Sequence, residues 1–159
     1  MNAMRKWLPI LLLCALPLLA QKYSGPRPAK PDLPYLVHAD SLVETESAEA
    51  KQEERKSDTS YVIPGGNSPA RTPLSSPIFL MQADQLQADR LQLFRLQSKG
   101  GQREVLYMRK KKLVARPIRL NVTRVEEGLY KMEVDEILEN GEYSLTPQDS
   151  NQVFCFQVY

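Results

Sequence analysis

Histidine occurs once in this chain, at position 38, and cysteine twice, at 14 and 155. A catalytic zinc ion usually takes three protein ligands, commonly two or three of them histidines, and no cysteine pair stands ready to replace them. His38 and Asp40 would share one face of a strand, with Glu44 or Glu46 beyond. A weak metal site there, or a small hydrolase or metal-dependent enzyme built on it, stands behind the plainer reading of a hydrogen-bonded structural histidine. The glycine-x-serine-x-glycine elbow of serine hydrolases is missing too, and the serines of SPARTPLSS lie in a proline-rich loop without a second histidine to activate them. Gly65-Gly66 and Gly100-Gly101 are not followed by the lysine and helix of a phosphate-binding loop. Glu53-Glu54 and Glu126-Glu127 fall in polar runs or turns, where carboxylates are solvated. These absences leave no catalytic set and no implied cofactor.

A surplus of one charge is also lacking once the beginning of the chain is set apart. MNAMRKWLPILLLCALPLLAQ has a charged start at Arg5 and Lys6, an apolar run from Trp7 to Leu19, and the small residue Ala20. That is the layout of a secretory signal over residues 1–20. The run is short for a membrane span, which needs roughly 20 apolar residues, and Pro9 and Pro17 interrupt it. Leu13 before Cys14 does not suit a lipidated cysteine, and Leu18 makes the site after Ala20 imperfect, so an uncleaved anchor is the alternative. Membrane contact is then expected only through this segment. Removing it takes 21 basic residues to 19, against 19 acidic ones, and the net charge of +2 falls to zero. A neutral chain has no overall field to steer it toward nucleic acid, and none is expected as a partner. Cys155 is left alone between Phe154 and Phe156, so no intrachain disulfide forms. It reads as a buried core cysteine, with intermolecular pairing as the alternative in an oxidising compartment.

What is present is a β pattern behind a proline-rich entry. Prolines at 26, 28, 31 and 34 make residues 21–34 an extended linker. Residues 35–77 come next. SLVETESAEAKQEERKSD carries helix-forming residues but no apolar stripe after Val43, so residues 41–58 are read either as a polar helix or, preferably, as a polar hairpin turning at Lys56-Ser57-Asp58. PGGNSPARTPLSSP is a loop. From residue 78 onward, PIFLM and LQLFRLQ read as strands, Gly100-Gly101 as a hairpin turn, and REVLYM as the return. Residues 116–136 form the clearest hairpin. A three-residue loop at Glu126, Glu127 and Gly128 pairs Val122 with Met132 and Leu120 with Val134 on one face, and Asn121 with Glu133 and Arg119 with Asp135 on the other.

The stretch LENGEYSL precedes the last strand, QVFCFQVY. A tyrosine just after a glycine turn, opening a strand, has the placement of a tyrosine corner, whose hydroxyl hydrogen-bonds back across the turn. Tyr143 after Gly141 takes that structural role; the alternative is a tyrosine merely packed at a hairpin end. PYLVHADSLVETE, SPARTPLSSPIFL and ENGEYSLTPQDSNQVFCFQVY together resemble uncharacterised small exported proteins of acidobacterial type with an immunoglobulin-like C-terminal β domain. The resemblance implies a location and a fold, and no activity.

One local charge anomaly stands out, Arg109-Lys110-Lys111-Lys112. Such a run either keeps sheet edges from pairing with one another or meets anionic envelope material. Taken together, the sequence predicts a mainly β protein: a small antiparallel sandwich, immunoglobulin-like, over residues 78–159, behind a signal helix and a proline-rich linker. It is expected to be exported to the periplasm or beyond. There it would act as a non-catalytic interaction or structural domain toward a protein or envelope component.

Overall fold

Short apolar alternations broken by glycine pairs, prolines and charged turns become strands, and the computed structural model describes them over residues 22–159. The expected signal segment, residues 1–20, lies outside the described residues. No helix among those described is long and apolar enough to cross a membrane. The strands run in chain order as β1 (Tyr35–His38), β2 (Ser41–Glu44), β3 (Glu46–Glu49), β4 (Lys51–Arg55), β5 (Asp58–Pro64), β6 (Arg71–Thr72) and β7 (Ile78–Gln82). They continue as β8 (Leu91–Lys99), β9 (Gln102–Arg109), β10 (Lys112–Leu113), β11 (Leu120–Glu126), β12 (Leu129–Val134), β13 (Gly141–Pro147) and β14 (Gln152–Val158). A single 3-10 turn at Ala88–Arg90 interrupts them.

Two sheets result, almost wholly antiparallel, in a sandwich-like arrangement. The first has the order β11-β12-β7-β1-β2; the second has the order β3-β14-β13-β8-β9-β5-β4, with β10 on β9 and β6 on β14. Among the described strands only β6 and β14 pair in parallel, and the isolated bridge between Pro31 and Gln82 is also parallel. The ends of the second order, β3 and β4, are separated in the chain by Ala50 alone, so this sheet returns on itself as a barrel. Two strands turn its corners. β8 gives Leu91–Leu96 to β13 and Gln97–Lys99 to β9, and the 46–55 segment gives its first half to β14 and its second to β5. Strands that change partner halfway are how orthogonally packed sheets join.

β13 and β14 lie between two cores, and their alternation assigns each side chain to one of them. Tyr143, Leu145, Phe154, Phe156 and Val158 face the first sheet and pack with Leu36, Phe79, Met81 and Met132. The Phe79 and Phe156 rings meet edge to face at 5.0 Å, and Tyr143 stacks on Phe156 at 5.5 Å. Val153 and Cys155 point the other way, into the barrel, with Ala50, Ile63 and Leu96 and with half-buried Tyr61 and Val105. Fully burying a side chain of this size contributes about 1.5–3 kcal/mol.

The polar stretch 41–58 is a hairpin at its end and something larger overall. β4 and β5 pair from Lys51–Val62 to Arg55–Asp58, with Lys56 and Ser57 at the turn. β2, β3 and β4 form one extended run broken only at Thr45 and Ala50; it borders the first sheet and supplies both ends of the second. Bordering positions explain the composition, because charged side chains keep strand edges from pairing with other chains.

The hairpin of residues 116–136 has the expected register, with Leu120 opposite Val134, Asn121 opposite Glu133 and Val122 opposite Met132. Arg119 Nε lies 3.6 Å from Asp135 Oδ2. Its loop differs from expectation. Glu126 pairs with Leu129, leaving the two residues Glu127-Gly128 as the turn, and the register shifts by a bulge between Arg124 and Glu126. One residue moved from loop to bulge leaves the pairs beyond it unchanged. Gly128 turns with φ 71°, and Gly100 and Gly101 with φ 60° and 75°, the left-handed geometry of tight hairpins.

Two segments outside residues 78–159 are part of the same sheets. β1 pairs with β7, and β5 pairs with β9 along seven positions from Asp58–Arg109 to Pro64–Gln102. The last four residues of the proline-rich entry are also docked. Leu33 and Pro34 are buried, and Pro31 bridges to Gln82. Asp32 fastens them, because its carboxylate accepts hydrogen bonds from the backbone N–H groups of Asp84, Gln85 and Leu86 at 2.8–3.1 Å. Its own N–H donates to the Gln82 carbonyl at 2.8 Å.

Candidate functional site

Because side chains alternate along a strand, the barrel interior can be read from the phase of each strand. Arg103, Val105 and Tyr107 point inward from β9, Tyr61 and Ile63 from β5, Phe94 and Leu96 from β8, Glu142, Ser144 and Thr146 from β13, and Val153 and Cys155 from β14. These side chains form two ends of different chemistry.

One end is closed by ions. Arg103 is fully buried, and its guanidinium grips Glu46 with both arms at 2.6 and 2.9 Å. It also donates to the carbonyls of Gly65 at 2.8 Å and Pro64 at 2.9 Å, and lies 3.8 Å from Glu142. The forked guanidinium matches a carboxylate in this way, which the ammonium of lysine does not. Glu142 is buried; its Oε2 accepts the Ser68 N–H at 3.0 Å, and its Oε1 has no partner. Desolvation pushes the Glu142 carboxyl above its usual range, against the pull of the Ser68 N–H and Arg103. For Glu46 desolvation acts in the same direction, but the Arg103 and Ser68 hydrogen bonds outweigh it and hold that carboxyl low. Cys155 sits beside this group, fully buried. Burial drives its thiol up to about 12, with Arg103 opposing, so it is a poor nucleophile.

The other end is open. A cavity of about 260 Å³ lies between the Tyr61, Phe94, Val105 and Tyr107 side chains, floored by Ala50, Ile63, Leu96 and Val153. Tyr61 and Tyr107 meet edge to face at 5.4 Å. Gln92, Ser144 and Thr146 supply neutral hydrogen-bonding groups, and the Pro147–Asn151 turn forms the rim. The walls are apolar and aromatic, the mouth is polar and includes Asp149, and the volume lies just below that usual for a small-molecule pocket. A second hollow of about 650 Å³ lies outside the barrel, between the Ala83–Asp89 loop and β11–β12, and opens to solvent.

Beyond the open end project two hairpin turns. Lys110 and Lys111 turn β9 into β10, and the Lys110 N–H donates to the Ser57 carbonyl at 3.0 Å, which joins this turn to the β4–β5 turn carrying Lys56. Arg109, grouped with the lysines in the sequence, is drawn to Asp58 at 3.6 Å. Lys110 and Lys111 adopt φ 49° and 63° where asparagine and glycine are usual, at a cost of about 1 kcal/mol each.

The remaining candidates fall elsewhere. His38 ends β1 in the first sheet and lines neither hollow; Asp40 is an exposed turn residue. Glu44 bonds to Lys30 and Tyr35, and Glu46 belongs to Arg103, so the structure does not bring these acids to His38. Among the described residues no three His, Cys, Asp or Glu side chains are grouped to hold a metal. Gly141 opens β13, and the buried Tyr143 donates its hydroxyl to the Glu139 carbonyl at 2.7 Å. Tyr143→Phe is expected to lower stability by about 1–2 kcal/mol in urea unfolding, because it strands that carbonyl while keeping the stack on Phe156.

Arg103, Glu142 and the cavity tyrosines went unnoticed in the sequence. A signal for them existed: Arg103 alternates in phase with Val105 and Tyr107, and Glu142 with Ser144 and Thr146. No protein-family model matches the chain, and neither curated proteins nor solved structures give a match.

Proposed function

We propose that this is an exported, non-catalytic binding protein of the periplasm or cell exterior, which holds a small ligand with an apolar body and a polar edge in the open end of its barrel. The observation that carries this reading is the separation inside the barrel. The buried charges are spent on one another at the closed end, while the open end has aromatic walls and neutral hydroxyls around about 260 Å³, with Asp149 at the rim. The signal-like beginning of the chain supports export. The Tyr143 hydrogen bond supports an immunoglobulin-like corner, while closure through Ala50 favours a barrel for the layer that holds the cavity. A second reading, contact with anionic envelope material through Arg109 to Lys112, is favoured by the lysines gathered at the same end.

The test uses the neutral fluorescent probe N-phenyl-1-naphthylamine. Uptake of one probe per chain is expected, with loss in Ser144→Phe, which fills the cavity, and in Gln92→Phe, which narrows its mouth from a half-exposed position. Unchanged uptake in both folded variants, or none in the starting protein, sinks the cavity reading.

A further inference from the structure

The two turns beyond the open end bring together charges that lie far apart in the chain. Lys56 stands on one turn and Lys110, Lys111 and Lys112 on the next, joined by the Lys110–Ser57 hydrogen bond. Nearby Arg55 and Arg109 are engaged by Glu53 and Asp58. The four lysines, by contrast, take part in no ion pair among the described residues.

Immediately after them the chain exposes apolar surface. Leu113 is 63% and Val114 40% exposed, and both lie against the strand that carries Tyr107. Edge protection calls for lysines and gives no reason for leucine and valine in solvent beside them. A polysaccharide or a nucleic acid backbone would use the charges and leave the apolar pair wet. An anionic bilayer uses both, since lysines meet headgroups while adjoining apolar side chains enter the headgroup and acyl boundary.

We infer that the paired turns Lys56 and Lys110–Val114 form a docking tip for an anionic lipid bilayer. This rests on the anionic-contact reading above and deepens it by naming the surface. It is independent of what the cavity holds.

The test is vesicle cosedimentation of residues 22–159, which contain every described strand, using phosphatidylcholine vesicles with and without phosphatidylglycerol. Binding is expected only with phosphatidylglycerol, and it weakens between about 0.1 and 1 M salt as the screening length shortens. Each lysine near such a surface is worth about fivefold in partitioning, so glutamine at all four positions lowers it by nearly three orders of magnitude, about 600-fold. Leu113→Ser with Val114→Ser lowers it by about tenfold with the charge unchanged. Dextran sulfate and a single-stranded oligonucleotide serve as lipid-free polyanions. If the glutamine variant loses dextran sulfate binding while the serine variant sediments with vesicles like the original, the anionic reading stands and the bilayer falls. Unchanged sedimentation of the glutamine variant removes both. These exposed substitutions leave circular dichroism and probe uptake intact, so a lost tip is distinguishable from an unfolded chain.

Discussion

Replacing Arg103 with methionine is expected to lower stability by about 3–5 kcal/mol, a large share of what a domain of this size possesses. Methionine fills much of the space but leaves Glu46 without its two-armed partner and Glu142 without a nearby cation. It also strands the carbonyls of Pro64 and Gly65. An uncompensated buried charge, rather than the lost attraction itself, dominates the loss. Adding Glu46→Met and Glu142→Gln should therefore recover about half of it, since the glutamine still accepts the Ser68 N–H, while the carbonyls and the Ser68 hydroxyl are left without these partners. Urea unfolding with unchanged slope measures both. An Arg103→Met chain within about 1 kcal/mol of the original would mean that the guanidinium is solvated.

Removing the Asp32 carboxylate is the second large effect. Hydrogen bonds to a charged acceptor contribute more than neutral ones, and this one carboxylate serves three consecutive backbone N–H groups. Asp32→Ala is expected to cost about 2–3 kcal/mol, and Asp32→Asn about half as much, because asparagine keeps an acceptor and tolerates the left-handed φ of 56°. Partial burial pushes this carboxyl up, but the three N–H groups together outweigh that and hold its pKa below the usual range. The sign of the pH effect follows. A carboxyl lowered by folding stabilises fully above its unfolded value of about 3.9, and the gain is lost as pH falls through the lower folded value. The original chain should lose stability more steeply than Asp32→Ala below about pH 4, so that their difference shrinks with acid. Parallel acid limbs in the two unfolding profiles would contradict this.

How much of this was legible depended on whether a feature was local. The register of β11 and β12 could be read because the loop and the alternation of apolar with charged pairs both fix it. The bulge inside that hairpin could not, since a bulge and a longer loop place the outer pairs identically. For residues 41–58 the hairpin turn at Lys56-Ser57 could be read, but the division of 41–55 among the sheets could not, because a run that borders sheets has little apolar surface to alternate. Arg103 has no partner close to it in the sequence. Its partners Glu46 and Glu142 come from strands at distant points in the chain, and only barrel closure puts them together. The same reason hid Lys56 from the basic run at 109–112: a hydrogen bond between two hairpins unites them.

The run from Ser41 to Arg55 threads all the layers, with Thr45 and Ala50 as its only hinges. Thr45 is pinned to the Pro34 carbonyl by its hydroxyl at 2.7 Å, and Ala50 to the Asn151 carbonyl by its N–H at 2.8 Å. A seam of this kind makes the layers share one fate. Peeling it away would slacken the border of the first sheet and unclasp the barrel in the same event, so an opening of the cavity along this run also loosens the face behind it.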